Sequence, residues 1–378
     1  MSLARWAGLV GSFAPLILGG QAPIRWRIEV ERVYGSRPGT ELADPRTLAV
    51  DGAGRLYIGD TRPAAVKVFN VDGSLLRVLG REGGGPGEYR NPWIAARGGV
   101  VVVHDPTQSR TTVFDTSGQV RKSWTSFCCH QDEIALDGAG RVVVPAALSS
   151  PGADGPGGGV SRKAYVRYAL DGRVLDTVII RSSGPERLWT VARHGSDGKP
   201  AAGTTSIVIP YSPRQQFAWD RAGGYVSGWS NTLRMFRSTT GKDSTSLSLG
   251  DVPAVPLPPA VRRAAVDSAI AQFARLVGPG PAREAVKLDD VPTIAPAFHR
   301  LLVDEERNIW AQLIARADSR TTTFRVFGPT GSDLGTATLP LRFPEWGGVT
   351  FGPGTMYVRS ESEDGEPIVV RLRIREAR

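Results

Sequence analysis

The pentapeptide Asp-Gly-Ala-Gly-Arg occurs twice in this chain, at 51–55 and again at 137–141, 86 residues apart. The frame around each copy is the same. Residues 48–60 read LAVDGAGRLYIGD and residues 134–144 read IALDGAGRVVV. Half of that separation predicts a copy near residue 94, where residues 94–105 read IAARGGVVVVHD. Fainter copies stand at 217–228 (FAWDRAGGYVSG), 301–312 (LLVDEERNIWAQ) and 348–359 (GVTFGPGTMYVR). Self-similarity at a fixed period of about 45 residues is the mark of a repeat architecture. Six copies constrain the fold more than any compositional figure does.

Each copy is an apolar run, a Gly-containing turn and a second apolar run, which is a β-hairpin. Asp-Gly suits such a turn, because Gly accepts a positive φ without steric cost and Asp tolerates it. A second hairpin follows in five copies, at 66–79, 111–124, 165–178, 232–247 and 323–339, with turn glycines Gly73, Gly118, Gly172, Gly241 and Gly331. Two hairpins make a four-stranded antiparallel sheet of propeller-blade size. The sixth copy supplies only three strands, the third at 368–375 (IVVRLRIR). The missing strand is expected at the other end of the chain, at 26–34 (WRIEVERVY). Pairing it with the last blade closes the ring and removes an exposed sheet edge. The predicted fold is therefore all-β: a six-bladed β-propeller with its N-terminal strand in the last blade. Two similar Pro-Gly linkers, at 35–45 and 83–92, are expected to join an outer strand to the next inner one.

Two segments break the period. Residues 150–160 (SPGADGPGGGV) form a Gly/Pro loop inside blade 3. Residues 251–298 form an insertion between blades 4 and 5, and the stretch from Pro258 to Val277 has the apolar spacing of a helix with Pro at its start. Arg262 and Arg263 are too few for a membrane-surface helix. The helix is expected to lie across one face of the propeller as a lid.

The stretch P-x-x-L-A-V-D-G-x-G-x-L-Y-I-x-D-T at 45–61, with V-x-V-F-x-x-D-G at 66–73 and G-x-x-G-x-G-P-G-E-Y at 80–89, resembles the NHL repeat. It is similar to the six-bladed, TolB-type propellers of bacterial exported proteins. The resemblance is strongest over blades 1 and 2 and periodic over the rest. It implies the fold and leaves the function open, because this scaffold carries binding proteins, lactonases and lyases alike.

The formal charge is +9, with only six lysines among 46 basic residues. The arginines are spread along the chain with no basic run and no nucleic-acid-binding motif, so nucleic acid is not an expected partner. Residues 1–22 read as an export signal: Arg5, the apolar stretch 6–19 and the small-x-small site Gly20-Gln21-Ala22. The stretch is too short to span a bilayer and contains Pro15. The expectation is an extracytoplasmic, periplasmic or secreted monomer of residues 23–378 with no transmembrane segment. The only cysteines, Cys128 and Cys129, are adjacent, so stability must come from the core rather than from disulfide staples.

A propeller places its binding chemistry at the central channel. The residue five positions before Asp51 enters the inner strand, and its equivalents give Arg46, Pro92, Asp132, Gln215, His299 and Trp346. Of these, Arg46, Asp132, Gln215, His299 and Trp346 form a polar and aromatic rim suited to a small polar ligand or a peptide end. Enzymes on this scaffold, gluconolactonase-like hydrolases and the peptide-amidating lyase, hold Ca²⁺ or Zn²⁺ in the channel. Here the four histidines, His104, His130, His194 and His299, do not recur at equivalent repeat positions, and no metal site is expected. Asp132, Glu133, His130 and His299 are the candidates for one. Cys128 and His130 share a strand face about 6.5–7 Å apart, too far for a nucleophile–base pair. Asp60 and Asp105 are equivalent by repeat and read as architecture. The segments 80–89 and 240–243 lack a phosphate-loop pattern, and no G-x-S-x-G elbow occurs. No cofactor is expected. The leading reading is a binding or protein-interaction module, and the alternative is a channel-centred, metal-dependent hydrolase or lyase.

Overall fold

In the computed structural model the repeated pentapeptide is a tight turn organised by its aspartate. Asp51 Oδ1 accepts the backbone N–H of Ala53 at 2.9 Å and of Arg55 at 3.0 Å, and its Oδ2 accepts Arg55 Nε at 2.7 Å. Asp137 repeats the arrangement on Ala139 and Arg141. The residue with positive φ is not the Gly after Asp but the second one, Gly54 (77°) and Gly140 (74°). Asp holds the turn through its side chain, and the later Gly supplies the left-handed backbone.

These turns join the strands of six four-stranded antiparallel sheets. Blade 1 comprises Pro45–Val50, Leu56–Thr61, Ala64–Phe69 and Leu75–Leu79. Blade 2 comprises Trp93–Arg97, Val100–Asp105, Arg110–Asp115 and Val120–Thr125. Blade 3 comprises Ala135–Leu136, Val142–Leu148, Arg162–Tyr168 and Val174–Ile179. Blade 4 comprises Gln215–Asp220, Gly224–Trp229, Arg234–Ser238 and Thr245–Ser248. Blade 5 comprises Arg300–Val303, Ile309–Gln312, Thr322–Phe327 and Asp333–Leu339. Blade 6 comprises Val349–Gly352, Thr355–Glu361, Pro367–Ala377 and, from the other end of the chain, Arg25–Tyr34. The structure describes residues 25–377 apart from 127–132, 149–161, 182–183, 185, 195–199, 241, 251–253, 315–319 and 344–346. The candidate export signal, the blade 3 loop, Cys128 and Cys129 lie outside the described residues.

The core is distributed around the ring. One apolar cluster lies between each neighbouring pair of blades: 1 with 2, 2 with 3, 3 with 4, 4 with 5, 5 with 6, and 6 with 1. This explains the long apolar runs of the second strands. Leu56–Asp60 is buried throughout, because both faces of the blade meet a neighbour. Outer strands such as Val174–Ile179 are largely exposed. The ring closes through nine residue pairs between Arg25–Tyr34 and the C-terminal strand, and Tyr34 there is buried against Phe69 of blade 1.

Asp60 and Asp105 anchor the blade connectors. Asp60 accepts the backbone N–H of Ala43 (3.0 Å) and Asp44 (2.7 Å), and Asp105 accepts those of Arg90 (2.6 Å) and Asn91 (3.2 Å). The next inner strand is thereby tied to the end of the second strand in its own blade, as the repeat predicts.

Between blades 4 and 5 lie helix α1, Pro259–Val277, and helix α2, Pro279–Ala285. They pack on an additional hairpin, Leu188–His194 with Pro200–Val208, in the connector from blade 3 to blade 4. Phe273, Ala269, Ala282, Val286, Val291 and Trp189 form a seventh core, and Trp189 Nε1 donates to Asp290 Oδ2 at 2.8 Å. The expected lid therefore takes a different form: the helices pack on a hairpin. The sequence between its two strands, GSDGK at 195–199, carries no strand signal. No helix among the described residues is long and apolar enough to cross a membrane.

Candidate functional site

The inner strands of all six blades wall a central cavity of about 750 Å³, within the usual range for small-ligand sites. Its middle is apolar, with Ala49, Ile94, Leu136, Phe217, Leu302 and Phe351. Its ends are charged. At the mouth where connectors enter, Arg46 Nε donates to Asp44 at 2.9 Å, and Arg359 lies 3.4 Å from the same carboxylate. Burial alone would raise the Asp44 carboxyl, but the Thr61 hydroxyl and Arg46 outweigh it and hold the pKa below the ordinary value. Arg300 bonds Glu133 at 2.8 Å, linking blade 5 to blade 3, and Lys163 bonds Glu186 at 3.1 Å.

Arg46, Gln215 and His299, all predicted from the repeat, line this cavity, as does Glu133. Pro92 is buried instead, its carbonyl accepting the Thr47 hydroxyl at 2.8 Å. Asp132, Trp346 and His130 lie outside the described residues. His299 is depressed to about 4, first by burial and then by the neighbouring charges of Arg214 and Arg300. It is therefore neutral at pH 7, in surroundings that favour anions over cations. Among the described residues no group of three or more His, Cys, Asp or Glu side chains is placed to hold a metal ion.

The mouth where hairpins turn holds residues that repeat alignment overlooked. Arg97 stands in blade 2 at the position that Asp51, Asp137, Asp220 and Asp304 fill in blades 1, 3, 4 and 5. Blade 2 makes its turn with Gly98 and Gly99, both at positive φ (55° and 81°), and needs no aspartate. Arg97 is thus released to line the cavity. Arg221, directly after Asp220, also lines it, bonding Glu305 of blade 5 and donating from Nη2 to Thr350 Oγ1 of blade 6 at 3.3 Å. Protein packs around Arg221, but 29% of its side chain stays exposed. Burial lowers its pKa to about 10, assisted by the charge of Arg97 and opposed by Glu133. The signal for Arg97 was present in the sequence, as one repeat position with its charge reversed.

No family model matches this chain, and no curated protein matches it. Solved structures do. One is a DUF4221-family member from Bacteroides vulgatus, 9% identical, with 94% of this chain and 100% of that one aligned at a TM-score of 0.49. Another, named as exported, is from Bacteroides fragilis, 12% identical over 92% and 96% at 0.49. A third is the PQQ-bound aldose sugar dehydrogenase of Streptomyces coelicolor, 14% identical over 94% and 100% at 0.44. These likenesses are too distant to carry chemistry across, and the six blades stand on their own hydrogen bonding and packing.

Proposed function

We propose that this chain is an extracytoplasmic propeller of the NHL or TolB type that binds a small polar ligand in its central channel, with the rim loops and the α1–α2 insertion forming its contact face. One observation carries the proposal: a cavity of about 750 Å³ bounded by all six inner strands, with an apolar waist and polar ends. Such a lining buries the body of a ligand and orients it through a few charged groups. Arg46, Gln215 and His299 are the ligand-contacting residues of the connector-side mouth, and the repeat pattern adds Asp132 and Trp346, which lie outside the described residues. The export-signal pattern read at residues 1–22 is what supports the location.

The test is a thermal-shift scan of the purified chain with EDTA, Ca²⁺, Zn²⁺, and a panel of sugars, lactones, short peptides and organic acids. A ligand that binds only the folded state raises the melting temperature by mass action. The expected result is a rise with a polar small molecule, reduced in Gln215→Leu, and no dependence on metal. A fall with EDTA that Ca²⁺ or Zn²⁺ reverses would replace the proposal with the metal-dependent hydrolase or lyase. No response to any compound would refute channel binding.

A further inference from the structure

The unfilled hydrogen-bonding capacity of the channel lies on one side. Arg97 has no hydrogen-bond or ion-pair partner among the described residues, so up to five guanidinium N–H donors face the cavity. The indole N–H groups of Trp93 and Trp219, two further lining residues, are buried without an acceptor. The side-chain polar atoms left buried and unpartnered along this lining include no carboxylate or carbonyl oxygen. The charges tilt the same way. Arg97 of blade 2 and Arg221 of blade 4 line the same cavity, and among the described residues the carboxylate bonded to Arg221 is Glu305. Two guanidinium groups lining one partly apolar cavity disfavour each other unless an anion joins them. Among the described residues that line the cavity, seven are cationic (Arg46, Arg97, Lys163, Arg214, Arg221, Arg300 and Arg359) and three are carboxylates (Asp44, Glu133 and Glu186).

We propose that the channel is an oxyanion-binding site in which Arg97 and Arg221 together hold a carboxylate or phosphate group of a small organic molecule whose apolar body rests against the waist of the channel. This rests on the channel-binding reading above and assigns its ligand class. Arginine forks match either oxyanion through paired N–H bonds, which a hydroxyl of a neutral sugar does not reproduce. Arg221 is held in place by Glu305 and Thr350, whereas Arg97 is the free arm.

The experiment is calorimetric titration of the full chain with citrate, with inorganic pyrophosphate and with glucose, at low and at 0.5 M NaCl. Wild type, Arg97→Gln, Arg221→Gln and the exposed-helix control Arg275→Gln are compared. Citrate or pyrophosphate is expected to bind, more weakly in high salt, and glucose is expected not to bind. Binding by citrate alone marks a carboxylate site, and binding by pyrophosphate alone marks a phosphate site. Arg97→Gln should weaken binding about tenfold or more, the effect of losing hydrogen bonds from a charged donor, and Arg275→Gln should leave it unchanged. Should Arg221→Gln fail to fold, for want of a partner to Glu305, Arg97→Gln decides alone, since it breaks no ion pair. Oxyanion binding that survives Arg97→Gln intact overturns the assignment. Glucose binding without oxyanion binding overturns it too, but leaves the channel-binding reading standing. Silence from all three probes, joined to silence in the thermal scan, overturns both.

Discussion

Replacing Trp26 by alanine isolates what holds the ring shut. Trp26 sits on the N-terminal strand, half-buried on the cluster between blades 5 and 6. Its ring centroid lies 5.6 Å from that of the buried Trp310, and its Nε1 donates to the Leu334 carbonyl at 2.9 Å. Full burial would make a Trp→Ala change cost about 3–5 kcal/mol. Half-burial brings the packing term to about 2 kcal/mol, and the lost hydrogen bond adds up to about 1. An unfolding entropy of about 2.1 cal/mol/K per residue over 378 residues makes about 0.8 kcal/mol per degree. Trp26→Ala should therefore lower Tm by about 3 °C in a fluorescence or circular-dichroism melt. Val30, on the same strand but 54% exposed, is the control, and Val30→Ala should move Tm by less than about 1 °C. Trp26→Phe, which keeps the ring and loses the N–H, should fall between. A Trp26→Ala protein that melts with the Val30→Ala control would refute closure through this strand.

Asp60→Ala should lower stability in urea titration by about 3–5 kcal/mol, because it strands the partly buried Lys67 ammonium, 2.9 Å away, and the N–H groups of Ala43 and Asp44. A loss under about 1 kcal/mol would show that the aspartate does not anchor the connector. His104 is buried between the Thr111 and Ser126 hydroxyls, and burial pushes its pKa down to about 4 from an ordinary 6.5. The unfolded chain takes up this proton below about pH 6.5 and the folded chain only near 4, so stability is lost as pH falls through that window. At pH 5 the loss is about 2 kcal/mol. The drop in unfolding free energy from pH 7 to pH 5 should be smaller by that amount in His104→Gln, and equal drops in the two proteins would contradict the burial account.

Repetition made the architecture legible. DGAGR at 51–55 and 137–141 located the inner hairpins, and the three-stranded last copy located the closing strand, because each blade must satisfy the same hydrogen-bonding and packing demands. Counting back from Asp51 also located Arg46, Gln215 and His299 on one cavity. The insertion was half legible. The apolar spacing of α1 marked a helix, but its partner hairpin, whose Trp189 shares a core with Phe273, was not read from the sequence.

Local pattern along the chain thus determined the blade count and the strand order within each blade, since those depend on periodicity within about 45 residues, and the strand left over at each end pointed to the closure. The tertiary structure alone decided which charges meet across the channel. Arg97, Arg221 and Glu305 belong to three different blades and lie up to about 200 residues apart in the chain. Their encounter is a property of the closed ring, in which strands remote in sequence converge on one axis, and no spacing rule along the chain encodes it.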